Sequence, residues 1–165
     1  MTDNVTKSEF VERVLGARTK WDAAVSHITS DDMLEPGFCG DWSLKDVIAH
    51  ITWYEKEMIQ VLEQRVFAGS ELWELPTDKR NAVIHEQTDE GTLEERLAEA
   101  RQVFEHLVEL MASLTDKELN DPASFPGMPP EWKPWQVLAS NTYEHYEDHL
   151  AQAEAFLSRS AGARR

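Results

Sequence analysis

With one cysteine, seven glycines and seven prolines in 165 residues, the chain has little to staple it and long stretches free of helix breakers. Cys39 alone cannot form an intrachain disulfide, which is compatible with a reducing interior. No run reaches the roughly 18 apolar residues of a membrane span. The start, Met-Thr-Asp-Asn-Val-Thr-Lys, lacks the apolar core of a secretion signal, so a cytoplasmic protein is expected. Basic residues are scarce as well. Lys and Arg number 16 against 31 Asp and Glu, a formal net charge of −15. Phosphate backbones and anionic membranes select basic surfaces, so the expected partner is a small molecule, with no nucleic acid and no membrane. No window alternates apolar and polar residues for long, which leaves little or no sheet, and no internal repeat is evident.

What is present is helical periodicity. Thr6-Lys-Ser-Glu9 is a capping-box pattern opening a helix that turns Phe10, Val14, Trp21 and Val25 inward to about Ile28. A single helical turn around Ser30–Leu34 and a loop follow. Nothing near Cys39, in that loop, supplies the positive charge that lowers a thiol pKa. Ser43-Leu-Lys-Asp46 caps a second long helix, expected to reach about Ala68 and to be closed by Gly69, with a core stripe including Val47, Ile51, Tyr54, Met58 and Leu62. Leu-Trp-Glu-Leu-Pro then reads as an extended turn and Thr77–Thr88 as a short helix. Thr92-Leu-Glu-Glu95 caps a third long helix with Leu93, Leu97, Phe104, Leu107 and Met111 inward, and Thr115-Asp-Lys-Glu118 one short turn. The proline-rich stretch from Asp121 to Pro134 can be neither helix nor central strand. Pro134 starts the fourth long helix. The fold class is therefore all-α, a four-helix bundle with two long connections. A single domain is expected over 1–160, with a frayed tail over 161–165.

The fourth helix carries the most informative stripe: Trp135, Leu138, Thr142, His145, His149, Ala153 and Phe156. A surface helix turns such a stripe inward, and residues four apart are neighbours, so the rings of His145 and His149 can approach one point. Buried imidazoles need partners. Two answers are open, a shared metal ion or separate hydrogen bonds to neighbouring side chains. His50, at the edge of the second helix's core stripe, can meet the pair inside a bundle. Three imidazoles with one open position is the ligand set of a catalytic divalent metal, whereas a structural site would close with a fourth ligand. Such an ion lowers the pKa of water or a thiol bound to it. Tyr54 and Glu57, on the His50 side, are the candidate catalytic or supporting groups, ahead of Glu144 and Asp148, which read equally well as solvated charges. Trp53, Trp132 and Trp135 are either core or the lining of a pocket mouth. His27, His85 and His106 read as surface or solvated residues outside any site.

Two stretches carry a family resemblance. Gly40-Asp-Trp-Ser-Leu-Lys-Asp-Val-Ile-Ala-His50 and Asn141-Thr-Tyr-Glu-His-Tyr-Glu-Asp-His149 resemble the loop with second-helix histidine and the His-x-x-x-His of the DinB-like (DinB/YfiT) superfamily of metal-dependent enzymes. The resemblance runs over nearly the whole chain in helix order. It implies a bundle in which His50, His145 and His149 hold zinc, nickel or a similar divalent ion. It also implies that some relatives are thiol-dependent transferases or isomerases using a low-molecular-weight thiol, and that homodimers are common. One branch of similar proteins, which the Asn141–His145 stretch resembles, protects cells from a reactive genotoxin by opening its cyclopropane ring. The functional expectation is a thiol S-transferase or hydrolase acting on a small electrophile. The alternative is a helical protection protein that sequesters a toxic ligand without chemistry or without metal.

Overall fold

The computed structural model describes residues 3–164. Eight α-helices follow one another: α1 (Lys7–Ser26), α2 (Ser30–Leu34), α3 (Leu44–Gln64), α4 (Thr77–Thr88), α5 (Leu93–Ser113), α6 (Asp116–Asn120), α7 (Pro134–Ser140) and α8 (Tyr143–Ala163). Short 3-10 turns occupy Glu71–Glu74 and Pro122–Ser124. Among the described residues there is no strand, only an isolated antiparallel bridge between Cys39 and Trp42.

The starts are set as the capping patterns require. Thr6 with Glu9, Ser43 with Asp46, Thr92 with Glu95 and Thr115 with Glu118 all form reciprocal capping boxes. Each satisfies two otherwise unpaired donors, and losing a cap side chain of this kind costs about 1 kcal/mol. The long helices then bury one face each. α3 lies along α5 and α1 along α8, while α1 and α5 touch over a shorter stretch. Val14, Val47, Leu107, Met111, Tyr146 and Ala153 are fully enclosed where these faces meet. This is the four-helix bundle, with α7 and α8 together forming its fourth member.

Three boundaries differ from the sequence expectation. The second long helix stops at Gln64, not Ala68, and Gly69 is not its cap. Arg65 takes the left-handed conformation (φ 53°), its guanidinium reaches Glu118 at 2.5 Å, and Phe67 N–H donates to Pro126 O. Those bonds draw the chain off the helix axis toward the proline-rich segment. The fourth helix is broken at Asn141–Thr142. Thr142 Oγ1 donates to Leu138 O at 2.7 Å and Asn141 Nδ2 to Val137 O at 2.8 Å. Side chains thus take carbonyls that a continuous helix would bond through its own N–H groups, and Thr142 leaves helical geometry (φ −129°, ψ −102°). At the end of the chain, residues 161–163 continue α8 and do not fray from it; Arg165 lies outside the described residues.

Candidate metal centre

His50 comes from the second turn of α3, and His145 and His149 from the first two turns of α8. The capping box at Ser43 fixes where α3 begins, and the break before Tyr143 fixes where α8 begins, so both turns are held in register. The three rings converge. His145 Nε2 lies 3.0 Å from His50 Nε2 and 3.0 Å from His149 Nε2. One hydrogen or one lone pair on the central nitrogen serves a single linear hydrogen bond, so the two contacts cannot both be good ones. A cation receiving three lone pairs resolves the conflict. Tetrahedral nitrogens at 2.0–2.1 Å from an ion sit about 3.3 Å apart, within a few tenths of an ångström of what is found.

The second ring nitrogen of His149 agrees with that assignment. Gln152 Oε1 lies 2.7 Å from His149 Nδ1, which places the proton on Nδ1 and leaves Nε2 as a lone pair. His50 Nδ1 and His145 Nδ1 are buried without a hydrogen-bond partner among the described residues. Burial strongly disfavours the imidazolium form. With the neighbouring His149 and Arg80 adding repulsion, it lowers His50 to about 3, and with His149 and His50 it lowers His145 to about 2. Burial also lowers His149. Neutral imidazoles are what a divalent ion needs. The donor set therefore fits the implied metal.

Aromatic rings wall the triad. Trp42 meets His50 edge-on (5.6 Å between centroids), Tyr54 meets both His50 (4.9 Å) and His145 (5.1 Å), and Trp21 lies 6.4 Å from His149. Of the two supporting groups expected from sequence, Tyr54 reaches the site with its ring but turns its hydroxyl away. The hydroxyl donates to Asn81 Oδ1 and accepts from Arg80 Nε. Glu57 is committed elsewhere: its Oε2 accepts from Trp73 Nε1 (2.7 Å) and Ser70 N (2.9 Å), pinning the loop after α3. Glu144 and Asp148 are exposed, in keeping with solvated charges. His27 and His106 are exposed too, but His85 corrects its solvated reading: half-buried, it stacks on Trp42 at 4.9 Å. Its ring, Asp46 and Asp89 form a second group of close donors. Asp46 is already occupied by the Ser43 cap.

Sequence reading missed a buried polar network beside the site. Glu55, wholly enclosed in α3, accepts from Arg18 Nη1 at 2.6 Å and Tyr146 Oη at 2.5 Å. Burial pushes its carboxyl up, opposed by Arg18. Arg18 also lies over Phe104 and donates to Asp22. The signal was in the pattern. Arg18 continues the Val14, Trp21, Val25 stripe, and Glu55 the Ile51, Met58, Leu62 stripe, a charge of opposite sign on each inward face. Of the three tryptophans, Trp132 lines a cavity of about 410 Å³, which it shares with Trp73 and Asn141. None of the histidines borders it.

Solved structures share this architecture. The colibactin self-resistance protein ClbS, crystallised with double-stranded DNA, aligns at a TM-score of 0.77 with 13% identity over 92% of this chain and 95% of its own. The Sibling Lethal Factor Precursor DfsB aligns at 0.80 with 11% identity over 96% and 98%. A Streptococcus pneumoniae protein aligns at 0.78 with 12% identity over 93% and 91%. No curated protein matches the chain in sequence. The ClbS complex overturns the exclusion of nucleic acid drawn from the net charge of −15. Contact with a phosphate backbone is decided by the charges on one face, not by the sum over the molecule. Residues 9–153 match the sequence profile of the DinB superfamily, and the chain belongs to that superfamily.

Proposed function

We propose that this protein is a divalent-metal-dependent enzyme, cytoplasmic and homodimeric, acting on a small electrophile as a thiol S-transferase or a hydrolase. The observation that carries the reading is the meeting of three imidazole Nε2 atoms at one point, His50 and His149 buried and His145 half-buried, with no fourth His, Cys, Asp or Glu donor beside them among the described residues. His50, His145 and His149 would hold a zinc or nickel ion, whose Lewis acidity would make a thiol or water nucleophilic at neutral pH. The chain's own residues do the rest. Gln152 fixes the His149 tautomer, Trp21, Trp42 and Tyr54 keep bulk water from the ring edges, and Arg80 orients Tyr54 through its hydroxyl. Tyr54 therefore acts as a wall that positions two ligands. Glu57 acts at a distance, by holding the Trp73 loop.

The test is metal analysis of untagged protein, followed by a turnover screen against small electrophiles with and without low-molecular-weight thiols. Stoichiometric metal with thiol-dependent turnover supports the transferase, and turnover without thiol the hydrolase. Protein that takes up no zinc or nickel from a stoichiometric supply refutes both. The likeness to ClbS, a self-resistance protein crystallised with duplex DNA, favours one further reading, protection by binding. Titration of a labelled duplex across a salt series tests it: affinity that falls steeply with salt supports a phosphate contact.

A further inference from the structure

The cavity that shares no wall with the histidines has a built interior of its own. It lies between α3, α7 and the loop after α3, encloses about 410 Å³, and is bordered by Phe67, Trp73, Trp132, Val137 and Asn141 with no charged side chain. A volume of that size suits a small organic molecule. One wall is preset. Trp73 Nε1 is held by Glu57, Arg80 covers its ring at 4.5 Å, and its edge lies over Gly69, where a Cβ would stand 2.3 Å from Trp73 Cδ1. Opposite stands Trp132, 45% exposed and edge-on to Phe67 at 5.8 Å. Flat aromatic walls of this kind take flat apolar rings.

The polar side chains on the lining are Ser140, whose hydroxyl donates to Val137 O, and Asn141. Asn141 is only 8% exposed. Its Nδ2 donates to Val137 O at 2.8 Å and sits 3.5 Å from Ser140 Oγ, which fixes the amide's orientation, because a carbonyl oxygen demands the NH₂ end. Its Oδ1 then accepts no hydrogen bond from any described residue. That oxygen is open to the cavity rather than sealed in the core, and the space it borders is lined mostly by apolar groups, so the donor of an entering ligand can reach it. We propose that the cavity binds the flat apolar portion of a neutral small molecule that carries a hydrogen-bond donor for Asn141 Oδ1. The site does not depend on the metal reading. It lies one layer of rings from the triad, since Trp73 packs on Tyr54 at 5.6 Å and Tyr54 on His50 and His145.

The probes are indole, a neutral bicycle with one N–H, and benzofuran, the same shape without the donor. Each is titrated calorimetrically into protein treated with a chelator and into protein supplied with zinc. Indole should bind one to one in both, about five- to tenfold tighter than benzofuran, the worth of one well-made hydrogen bond. It should shift the side-chain N–H resonances of Trp73 and Trp132, assigned through Trp→Phe variants. Asn141→Ala should erase the preference for indole while leaving benzofuran affinity unchanged, and Val137→Phe should abolish binding of both. If Val137→Phe fails to fold by circular dichroism, the Asn141→Ala comparison and the tryptophan shifts decide alone. Equal affinity for the two probes in wild type, no indole binding up to its solubility, or unmoved Trp73 and Trp132 resonances each overturn the proposal.

Discussion

The metal-free protein should lose stability on mild acidification, in a window set by its histidines. In the unfolded chain an imidazole titrates near 6.5, whereas in the fold burial holds His50 at about 3 and His145 at about 2. Between those values the unfolded state binds two protons that the folded state refuses. Stability therefore rises with pH there, is fully present above about 6.5 and is lost progressively below it. At pH 5 the penalty is about 2 kcal/mol per histidine, or about 4 kcal/mol for the pair. That is a large share of the roughly 5–15 kcal/mol that holds an ordinary domain together. The carboxylates whose pKa is lowered, such as Glu99 and Glu118, begin to cost stability only below the ordinary carboxylate range, so from pH 7.5 to 5 the imidazoles set the loss, opposed only by the buried Glu55, whose raised pKa acts in the other direction. Urea unfolding of chelator-treated protein, followed by circular dichroism at half-unit steps, measures the slope. Wild type should show it in full, and a His50→Gln/His145→Gln variant should keep only the part that His149 contributes. Saturating zinc at pH 7.5 should stabilise wild type only, by about 2.7 kcal/mol when free metal is a hundredfold above Kd. Equal stability of wild-type apo protein at pH 7.5 and 5 would refute the reasoning, because the histidines would then be reaching water.

Three further outcomes are expected. His149→Ala should abolish stoichiometric metal binding and leave helical content intact, with a change of only about 1–2 kcal/mol in the apo protein; thermal melting and metal analysis side by side check it. Glu55→Leu should destabilise by about 3–5 kcal/mol, since it takes from buried Arg18 its one enclosed counter-charge and leaves only the solvent-facing Asp22, whereas Arg18→Met/Glu55→Leu should recover most of that loss; denaturant unfolding of single and double variants decides, and no recovery would mean that packing, not charge, sets the cost. Glu57→Gln should leave metal affinity unchanged but move the Trp73 side-chain N–H resonance, because its carboxylate holds the loop and not the ion; a drop in metal affinity would return Glu57 to the site.

The bundle was legible because its signals are local. Three capping boxes open helices of about twenty residues, a fourth opens the short α6, and each apolar stripe marks its helix without reference to the rest of the chain. The triad was legible for a related reason: His145 and His149 share a stripe, and His50 borders another, so helical geometry alone brings them to one interior. What escaped depends on pairing across the fold. Glu55 looks like an error on an apolar face until Arg18 is seen opposite it. Glu57 and Tyr54 lie near His50 along the chain, yet their polar atoms are claimed by Trp73, Ser70, Asn81 and Arg80, partners from another turn and another helix. The break at Asn141 was hidden because the stripe continues across it. Its cause is a pair of side-chain bonds, each to the carbonyl four positions back, which periodicity does not register.

That break has a consequence for how such a chain diversifies. In one continuous helix every residue is tied to every other by a fixed rotation per step, so enlarging a side chain at Val137 would twist His145 and His149 with it. With the helical ladder interrupted at Thr142, the short α7 and the long α8 are two rods meeting at a joint. Substitutions on the first rod reshape the cavity wall while the second keeps its histidines aimed. Descendants of one ancestor can then exchange ligand preference without rebuilding the imidazole cluster, and the joint is where selection on the two parts becomes separable.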